Sequence, residues 1–175
     1  ELAAKIKRGR ILKERIVKLD EIVKAGREKI IFVDHHLCHA DTALYGAPYI
    51  REGTDEILVL TADGEGDKLS ATVGIYKKGK LIRISSSNLN NSVGGFYRSV
   101  TQYLGMKPDE HEYKVMGLAP YASSRDTDRV FGIIKEWIIV DHKTLQFKTV
   151  VNSHTFLKLC HEKLKGQRFD WVAAA

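Results

Sequence analysis

The stretch VDHHLCHA at residues 33–40 carries three histidines within five residues. The apolar run Ile30–Val33 leads into it, and this run is too short for a helix and β-branched enough to predict a buried strand. No helix breaker follows until Gly46, so we expect His35 and His39 on the first turns of a helix. Residues four apart share one helix face, and the stretch therefore predicts two neighbouring imidazoles at a strand-to-helix junction.

Such a pair has two readings. Two imidazoles on one helix face can bind a single transition metal, as in the H-x-x-x-H segment of zinc proteases. Partly buried histidines that pack in the core or cap the helix can have the same spacing. The three histidines leave both interpretations open. A zinc hydrolase is disfavoured because no glutamate in the segment could act as its general base. Cys38 fits a small buried residue better than a ligand or nucleophile.

Length and composition predict one domain of an ordinary globular protein. The 175 residues are 43% apolar and 29% charged, and no apolar run approaches a membrane span or a signal peptide. Two cysteines without a C-x-x-C motif fit a reducing, cytoplasmic compartment. The net charge is +6, and residues 1–30 hold ten Lys/Arg against five Asp/Glu. A basic amphipathic helix at Leu12–Val23, packed through its apolar face, explains this charge better than nucleic-acid or membrane binding does.

The rest of the chain predicts a mixed fold. Strands are expected at residues 56–61, 69–76 and 81–85, joined by an acidic turn at 62–68 and a hairpin turn at 77–80. Helices are expected at 96–104, at 127–138 and at 153–165 after a Ser153 cap, with an irregular segment at 106–122 and a strand at 145–150. The fold class is α/β, an α+β mixed sheet with an antiparallel three-stranded meander flanked by helices.

The acidic turn is a second candidate site. Gly64 and Gly66 would let the backbone approach a phosphate, whose oxygens successive N–H groups can hold. Asp63, Glu65 and Asp67 would repel a bare phosphate, and a bridging metal cation resolves that conflict. A plain hairpin turn with a solvated tip is the alternative, and it is favoured on the sequence alone.

A third anion site could lie where the loop at 92–95 opens into a helix. Gly94 and Gly95 would supply free N–H groups at the positive end of the helix dipole. Ordinary helix capping explains the same residues equally well. Lys114 could pair with a nucleotide phosphate or bridge to Glu112 on the surface, and the spacing does not decide between them.

Five stretches, in order along the chain, together resemble the NodU-type O-carbamoyltransferase family. They are HHLCHA at 35–40, TADGEGD at 61–67, GFY at 95–97, TQYLG at 101–105 and KVMGLAPY at 114–121. The resemblance covers about residues 30–122. It implies part of an actin-like ATPase superfold built on ribonuclease-H-like lobes. It also implies that a neighbouring YrdC-like domain makes carbamoyl-adenylate from carbamoyl phosphate and ATP. The actin-like domain, to which the present chain would belong, then passes the carbamoyl group to a hydroxyl of a sugar or natural product.

Site residues follow from the same resemblance. His35, His39 and Asp63 would bind the metal, with Fe²⁺ as the family's metal and Zn²⁺ as the alternative. Two histidines and a carboxylate with open positions suit either ion. Asp63 and His36 are the expected catalytic residues. The expected nucleotide-binding residues are Gly64, Glu65, Gly66, Asp67, Gly94, Gly95 and Lys114.

The chain departs from the family by lacking an upstream His-Asp-x-Ser segment, a second lobe with a further aspartate ligand and the YrdC-like domain. We therefore expect residues 1–175 to form a single partial domain with little or no transferase activity and at best weak metal affinity. Related hydrogenase-maturation or tRNA-threonylcarbamoyl enzymes are near alternatives, although they would need different motifs at 95–121. A non-catalytic metal-binding or interaction module, docked through its basic helix, is the alternative from another class.

Overall fold

The computed structural model describes residues 2–24, 26–47 and 56–175. These residues form two compact units, one up to Asp34 and the other from His35 onward. In the first unit, helix α1 (Leu2–Val23) precedes a 3₁₀ turn at Arg27–Lys29. The predicted helix is present and begins earlier than expected. Its apolar residues Leu19 and Val23 are exposed, so the described residues do not cover the expected packing face.

The prediction of a buried strand at Ile30–Val33 is wrong. This segment pairs with no strand among the described residues, and Ile31, Phe32 and Val33 are 82%, 47% and 53% exposed. β-branched and aromatic residues favour extended backbone, but only hydrogen bonds to a neighbouring strand turn such a segment into part of a sheet.

The second unit contains the predicted antiparallel meander. Strands β1 (Glu56–Gly66), β2 (Leu69–Lys77) and β3 (Lys80–Asn88) pair in the order β1-β2-β3. The first turn is shorter than predicted, because β1 continues through an irregular register between Ala62 and Gly66. The turn itself is Asp67–Lys68, whose φ angles are 51° and 70°. Asp63 and Glu65 therefore belong to a strand and not to a loop.

Helix α2 (His35–Gly46) lies on one face of this sheet. Ala40 and Leu44 are buried against Val59, and Ile57, Tyr76 and Leu81 pack around them. The helix begins at His35, so His35 and His39 lie on its first turns, as expected. Its apolar face fixes it on the sheet, and this contact directs its first turns towards the end of β1.

The remaining elements surround a larger core. They are α3 (Val93–Tyr103), α4 (Glu112–Leu118), α5 (Ser124–Ile134), β4 (Ile138–Asp141), β5 (Gln146–Thr149), α6 (Phe156–Lys163) and α7 (Phe169–Ala174). The core residues Val115, Val130, Phe156 and Leu164 are at most 1% exposed. Phe96 joins α3 to this core through edge-to-face contact with Phe156, at 5.1 Å between ring centroids.

Several local predictions are wrong in this region. Residues 106–122 include helix α4, α5 begins and ends earlier than expected, and β4 and α7 were not expected. Ser153 does not cap α6, because its Oγ donates to Leu89 O instead. Short helices and two-residue turns depend on tertiary packing more than on local pattern. Within the described part of the chain, no helix combines the length and apolar character of a membrane span.

Candidate metal centre and the adjoining cavity

Three polar side chains from α2 and β1 meet at the end of the sheet. His35 Nε2 lies 2.7 Å from Asp63 Oδ2 and 3.0 Å from His39 Nε2, and His39 Nε2 lies 3.3 Å from the same carboxylate oxygen. The two histidines occupy successive turns of α2, and Asp63 belongs to β1. The expected convergence of these three residues is therefore present.

The geometry of the three atoms fits a metal ion. Ligand atoms about 2.0–2.1 Å from one ion, at angles of about 90–109°, lie roughly 2.8–3.4 Å from one another. The observed separations are close to this range. The side chains of His35, His39 and Asp63 are 42%, 49% and 34% exposed, which leaves further coordination positions open to solvent or substrate. Two imidazoles and one carboxylate form a donor set suited to Fe²⁺ or Zn²⁺.

The electrostatics of the cluster keep Asp63 ionised. Partial burial by itself raises the pKa of the Asp63 carboxyl, but hydrogen bonds from His35, the Gly64 N–H and His39 outweigh it. The net result is a pKa below the ordinary value. A charged carboxylate is the form that a cation binds, so Asp63 is in its ligating form near neutral pH.

Two hydrogen-bonded contacts hold α2 over the hairpin. The Asp67 carboxylate accepts a hydrogen bond of 3.0 Å from the backbone N–H of His35. His36 is fully buried, and its Nδ1 lies 2.9 Å from Thr61 Oγ1, which in turn lies 2.7 Å from Thr72 Oγ1. The Nε2 of His36 is buried without a hydrogen-bond partner among the described residues. His36, predicted as catalytic, is here an anchor of the helix, and its catalytic role stays a prediction.

Gly66 makes the position of His35 possible. A Cβ added to Gly66 would lie 1.9 Å from Cδ2 of the His35 ring, far closer than any non-bonded contact allows. The absence of a side chain at Gly66 therefore leaves the space that this ring occupies. By contrast, a Cβ at Gly64 would meet nothing within 4 Å.

The beginning of α3 is fixed against the same strand. Ser92 Oγ accepts a hydrogen bond from Gly95 N and lies 2.7 Å from Gly64 O, to which it can donate. A Cβ at Gly94 would lie 2.6 Å from Gly64 N, so only glycine permits this backbone contact. The N–H groups of Gly64 and Gly95 are both used within the chain, Gly64 N donating to Asp63 Oδ1. Their contact with a nucleotide, like that of Glu65, stays a prediction.

Lys114 lies apart from these residues. It is exposed on α4, with its Nζ 5.8 Å from the ring centroid of Tyr113. It belongs neither to the metal cluster nor to the cavity described next. The structure therefore brings together His35, His39 and Asp63, with the predicted glycines beside them, and leaves Lys114 outside.

A cavity of about 580 Å³ adjoins Asp63 on the side of α3. Its polar lining comes from the end of β1, one face of α3, the loop before α4 and the 3₁₀ turn before α6: Asp63, Glu65, Arg98, Ser99, Gln102, Asp109, Ser153 and His154. Sequence reasoning missed Arg98, Ser99, Gln102 and His154. The first three share a face of α3, and this polar face was the available signal.

Comparisons with known proteins identify the family of this chain. A family model described as the carbamoyltransferase N-terminus matches residues 2–164. An uncharacterized protein of Methanocaldococcus jannaschii is 40% identical over 115 residues, which are 65% of this chain and 21% of that protein. The nodulation protein NolNO of Sinorhizobium fredii is 37% identical over 93 residues, 53% of this chain and 13% of that protein.

The nodulation protein NolO of Bradyrhizobium diazoefficiens is also 37% identical, over 97 residues that cover 55% of this chain and 16% of that protein. The chain thus spans about a fifth or less of the length of these three curated relatives. The family match, in contrast, takes in nearly the whole chain. The protein therefore belongs to the family of carbamoyltransferase N-terminal domains.

Proposed function

We propose that this chain is the metal-binding part of an O-carbamoyltransferase, which moves a carbamoyl group from carbamoyl-adenylate to a hydroxyl of a sugar or natural-product acceptor. Family membership supports carbamoyl transfer in general. The observation that carries the finer proposal is the meeting of His35 Nε2, His39 Nε2 and Asp63 Oδ2 within 3.3 Å of one another. Formation of carbamoyl-adenylate from carbamoyl phosphate and ATP is assigned to a YrdC-like domain of the whole protein.

In this proposal, the hydroxyl oxygen of the acceptor bonds to the carbamoyl carbon. The bond between that carbon and the phosphate oxygen breaks, and AMP and one proton are released. A divalent ion, Fe²⁺ or Zn²⁺, would polarise a carbonyl or phosphate oxygen of the donor. His35, His39 and Asp63 would hold this ion. Asp63 is also the residue that adjoins the cavity, and its second oxygen is fixed by the N–H of Gly64 at 2.7 Å.

Metal binding is the first test. We would titrate the 175-residue chain with Fe²⁺ without oxygen, and with Zn²⁺, by isothermal calorimetry. His35→Ala, His39→Ala and Asp63→Asn should each lower the affinity by at least about tenfold, because each removes one of three ligands. His142→Ala is the matched control, since His142 is exposed on the turn after β4 and should leave the affinity unchanged. Unchanged binding in all three ligand variants would contradict the proposal and favour a non-catalytic module.

The second test measures carbamoyl transfer to the acceptor, and it uses the whole protein. The ligand variants should abolish acceptor carbamoylation while carbamoyl-adenylate still forms, because donor synthesis is assigned elsewhere. Both reactions can be followed by mass spectrometry of the acceptor and of the adenylate. The isolated chain should transfer no detectable carbamoyl group, and transfer by the chain alone would refute that expectation.

A further inference from the structure

A buried hydroxyl joins helix α2 to strand β1 beside the candidate metal centre. We propose that Thr61 is a positioning residue of this centre. Its hydroxyl holds the His36 ring in the tautomer that has a proton on Nε2, and this ring in turn orients the two ligand imidazoles. The inference rests on the proposed function for the use of the centre, but its geometric argument and its first test need no bound metal.

The hydroxyl of Thr61 has three polar neighbours. Its oxygen lies 2.9 Å from His36 Nδ1 and 2.7 Å from Thr72 Oγ1, and it accepts a hydrogen bond of 3.1 Å from the backbone N–H of Thr72. Thr61 and Thr72 are each 5% exposed, and His36 is 0% exposed. Because all three residues are buried, the protons of this group are shared among these atoms.

The count of donors and acceptors fixes the direction of each bond. A hydroxyl has one proton and two lone pairs, and the backbone N–H of Thr72 takes one lone pair of Thr61 Oγ1. The hydroxyl of Thr72 has no other hydrogen-bond partner in the described part of the chain, so its proton goes to Thr61. Thr61 is then left with its own proton, which it donates to His36 Nδ1. The ring proton of His36 is therefore on Nε2.

The opposite tautomer satisfies fewer groups. With the proton on Nδ1, His36 would donate to Thr61, and Thr61 would donate to Thr72. The hydroxyl proton of Thr72 and the Nε2 lone pair of His36 would then both be buried without a partner. In the assigned tautomer, only the Nε2–H lacks a partner among the described residues. Each unsatisfied buried polar group destabilises the fold, so the arrangement with one such group is favoured.

This tautomer limits what His36 can do. Nε2 has no lone pair and Nδ1 is occupied by Thr61, so His36 can be neither a third imidazole ligand nor a general base. The catalytic role expected for His36 is thereby narrowed to hydrogen-bond donation from Nε2. The ring also meets both ligand rings edge to face, with its centroid 5.5 Å from that of His35 and 6.0 Å from that of His39. A ring that is fixed at this place orients both ligands.

The same hydroxyl is close to the third ligand along the chain. Thr61 lies two positions before Asp63 on β1, whereas His35 and His39 lie on α2. The bond from Thr61 to His36 therefore connects the helix that carries two ligands to the strand that carries the third. Loss of this hydroxyl should change how the ligands meet, and loss of packing elsewhere should not.

The first test reads the tautomer in the ¹⁵N-labelled 175-residue chain in EDTA. Two-bond ¹H–¹⁵N correlations show which ring nitrogen has the proton, and the signals lost in His36→Asn identify the His36 ring. We expect the proton on Nε2, and a proton on Nδ1 would overturn the inference. Thr61→Val, which keeps the shape of the side chain without its hydroxyl, should shift the ring resonances of His35 and His39.

The second test measures Zn²⁺ affinity by calorimetry. Thr61→Val should lower the affinity by about tenfold or more, because it removes the bond that positions both ligand rings. Thr61→Ser keeps a hydroxyl and should restore the Nε2–H tautomer and most of the affinity. Val130→Ala is the matched control, since Val130 is fully buried in the larger core cluster. It should lower the urea midpoint of unfolding and leave the affinity unchanged.

A purely structural role would give a different result. Lower stability of Thr61→Val, with unchanged Zn²⁺ affinity and unchanged ring resonances of His35 and His39, would overturn the inference. If the wild-type chain binds neither Zn²⁺ nor Fe²⁺, the proposed function fails. The spectra in EDTA still decide the tautomer of His36 and the orientation of the two rings in that case, so the two failures are distinguishable.

Discussion

At the scale of single residues, the position of the His35 ring depends on a missing side chain. The sequence offers Gly64 and Gly66 equally as places where a backbone could approach a phosphate. In the structure the two differ, because only Gly66 faces the His35 ring. The Asp67 carboxylate and the His36–Thr61 contact then fix the backbone that carries this ring. The geometry of the candidate metal centre is thus set by residues that do not ligate.

Gly66→Ala should lower the affinity for Fe²⁺ or Zn²⁺ by at least about tenfold, because its Cβ would displace the His35 ring. The ring resonances of His35 should shift even in the metal-free chain, which NMR can detect. Gly64→Ala is the control in the same strand, and it should change neither quantity because its Cβ has open space. Equal effects of the two substitutions would show that the contact with Gly66 does not position the ring.

At the scale of elements, α3 is locked onto the end of β1. Ser92 caps the helix and also bonds to the strand, and Gly94 brings the two backbones into contact. The metal cluster and the cavity share this strand end. A shift of α3 would therefore change both, and the close contact explains why two glycines begin an otherwise regular helix.

Gly94→Ala should destabilise the chain by about 1–3 kcal/mol, because the new methyl group would overlap backbone atoms of Asp63 and Gly64. Gly132→Ala is the matched substitution on α5, where the Cβ meets nothing within 4 Å. It should stabilise by about 0.4–1 kcal/mol, since alanine loses less backbone entropy in a helix. Urea unfolding measures both, and effects of the same sign would contradict this account.

The β4–β5 hairpin carries a pH-sensitive ion pair. Lys148 Nζ bonds to the Asp141 carboxylate, and with the backbone N–H groups of Lys143 and Thr144 it lowers the pKa of Asp141 to about 2. A folded-state pKa below the unfolded one means that the contribution to stability is present above about pH 4 and is lost as the pH falls towards 2. Carboxyl ¹³C NMR should give a midpoint near 2.

Lys148→Ala should raise that midpoint towards the ordinary value of about 3.9. Lys143→Ala is the control, because Lys143 donates through its backbone N–H, which the substitution keeps. A midpoint unaffected by Lys148→Ala would assign the low pKa to the turn backbone alone.

At the scale of the whole molecule, the residues from His35 onward pack around two separate apolar clusters. Ala40, Leu44 and Val59 hold α2 on the sheet, whereas the larger cluster around Phe156 holds α3 to α7. The candidate ligands lie on α2 and β1, the elements that the smaller cluster joins. Most of the cavity lining lies on elements that the larger cluster holds together. Both clusters are therefore needed to place the cavity beside Asp63.

Phe156→Ala should lower the free energy of unfolding by about 3–5 kcal/mol. The ring is fully buried and contacts Phe96, so its removal would leave a cavity in the larger cluster. Phe169→Ala, at a position 61% exposed, should stay within about 0.5 kcal/mol. Urea unfolding followed by circular dichroism gives both values. A small effect of Phe156→Ala would mean that the larger cluster contributes little to stability.

The sequence by itself determined the strand-rich centre and the helix that carries His35 and His39 on its first turns. These features have short-range signals, namely alternating apolar residues, glycine-containing turns and the four-residue spacing of His35 and His39. The same reasoning was wrong for Ile30–Val33, because strand pairing requires a neighbour that composition does not reveal. It also placed Asp63 in a turn, since a strand that continues through an irregular register has no local signature.

Only the tertiary structure decided which residues stand around the site. His35 and Asp63 are separated by 28 positions, and their 2.7 Å contact depends on the packing of α2 against the sheet. Arg98 and Gln102 on α3 come together with Ser153 and His154 from the turn before α6, although these two segments share no sequence pattern. Such convergence arises from side-chain packing between distant elements, which a pattern along one chain does not encode.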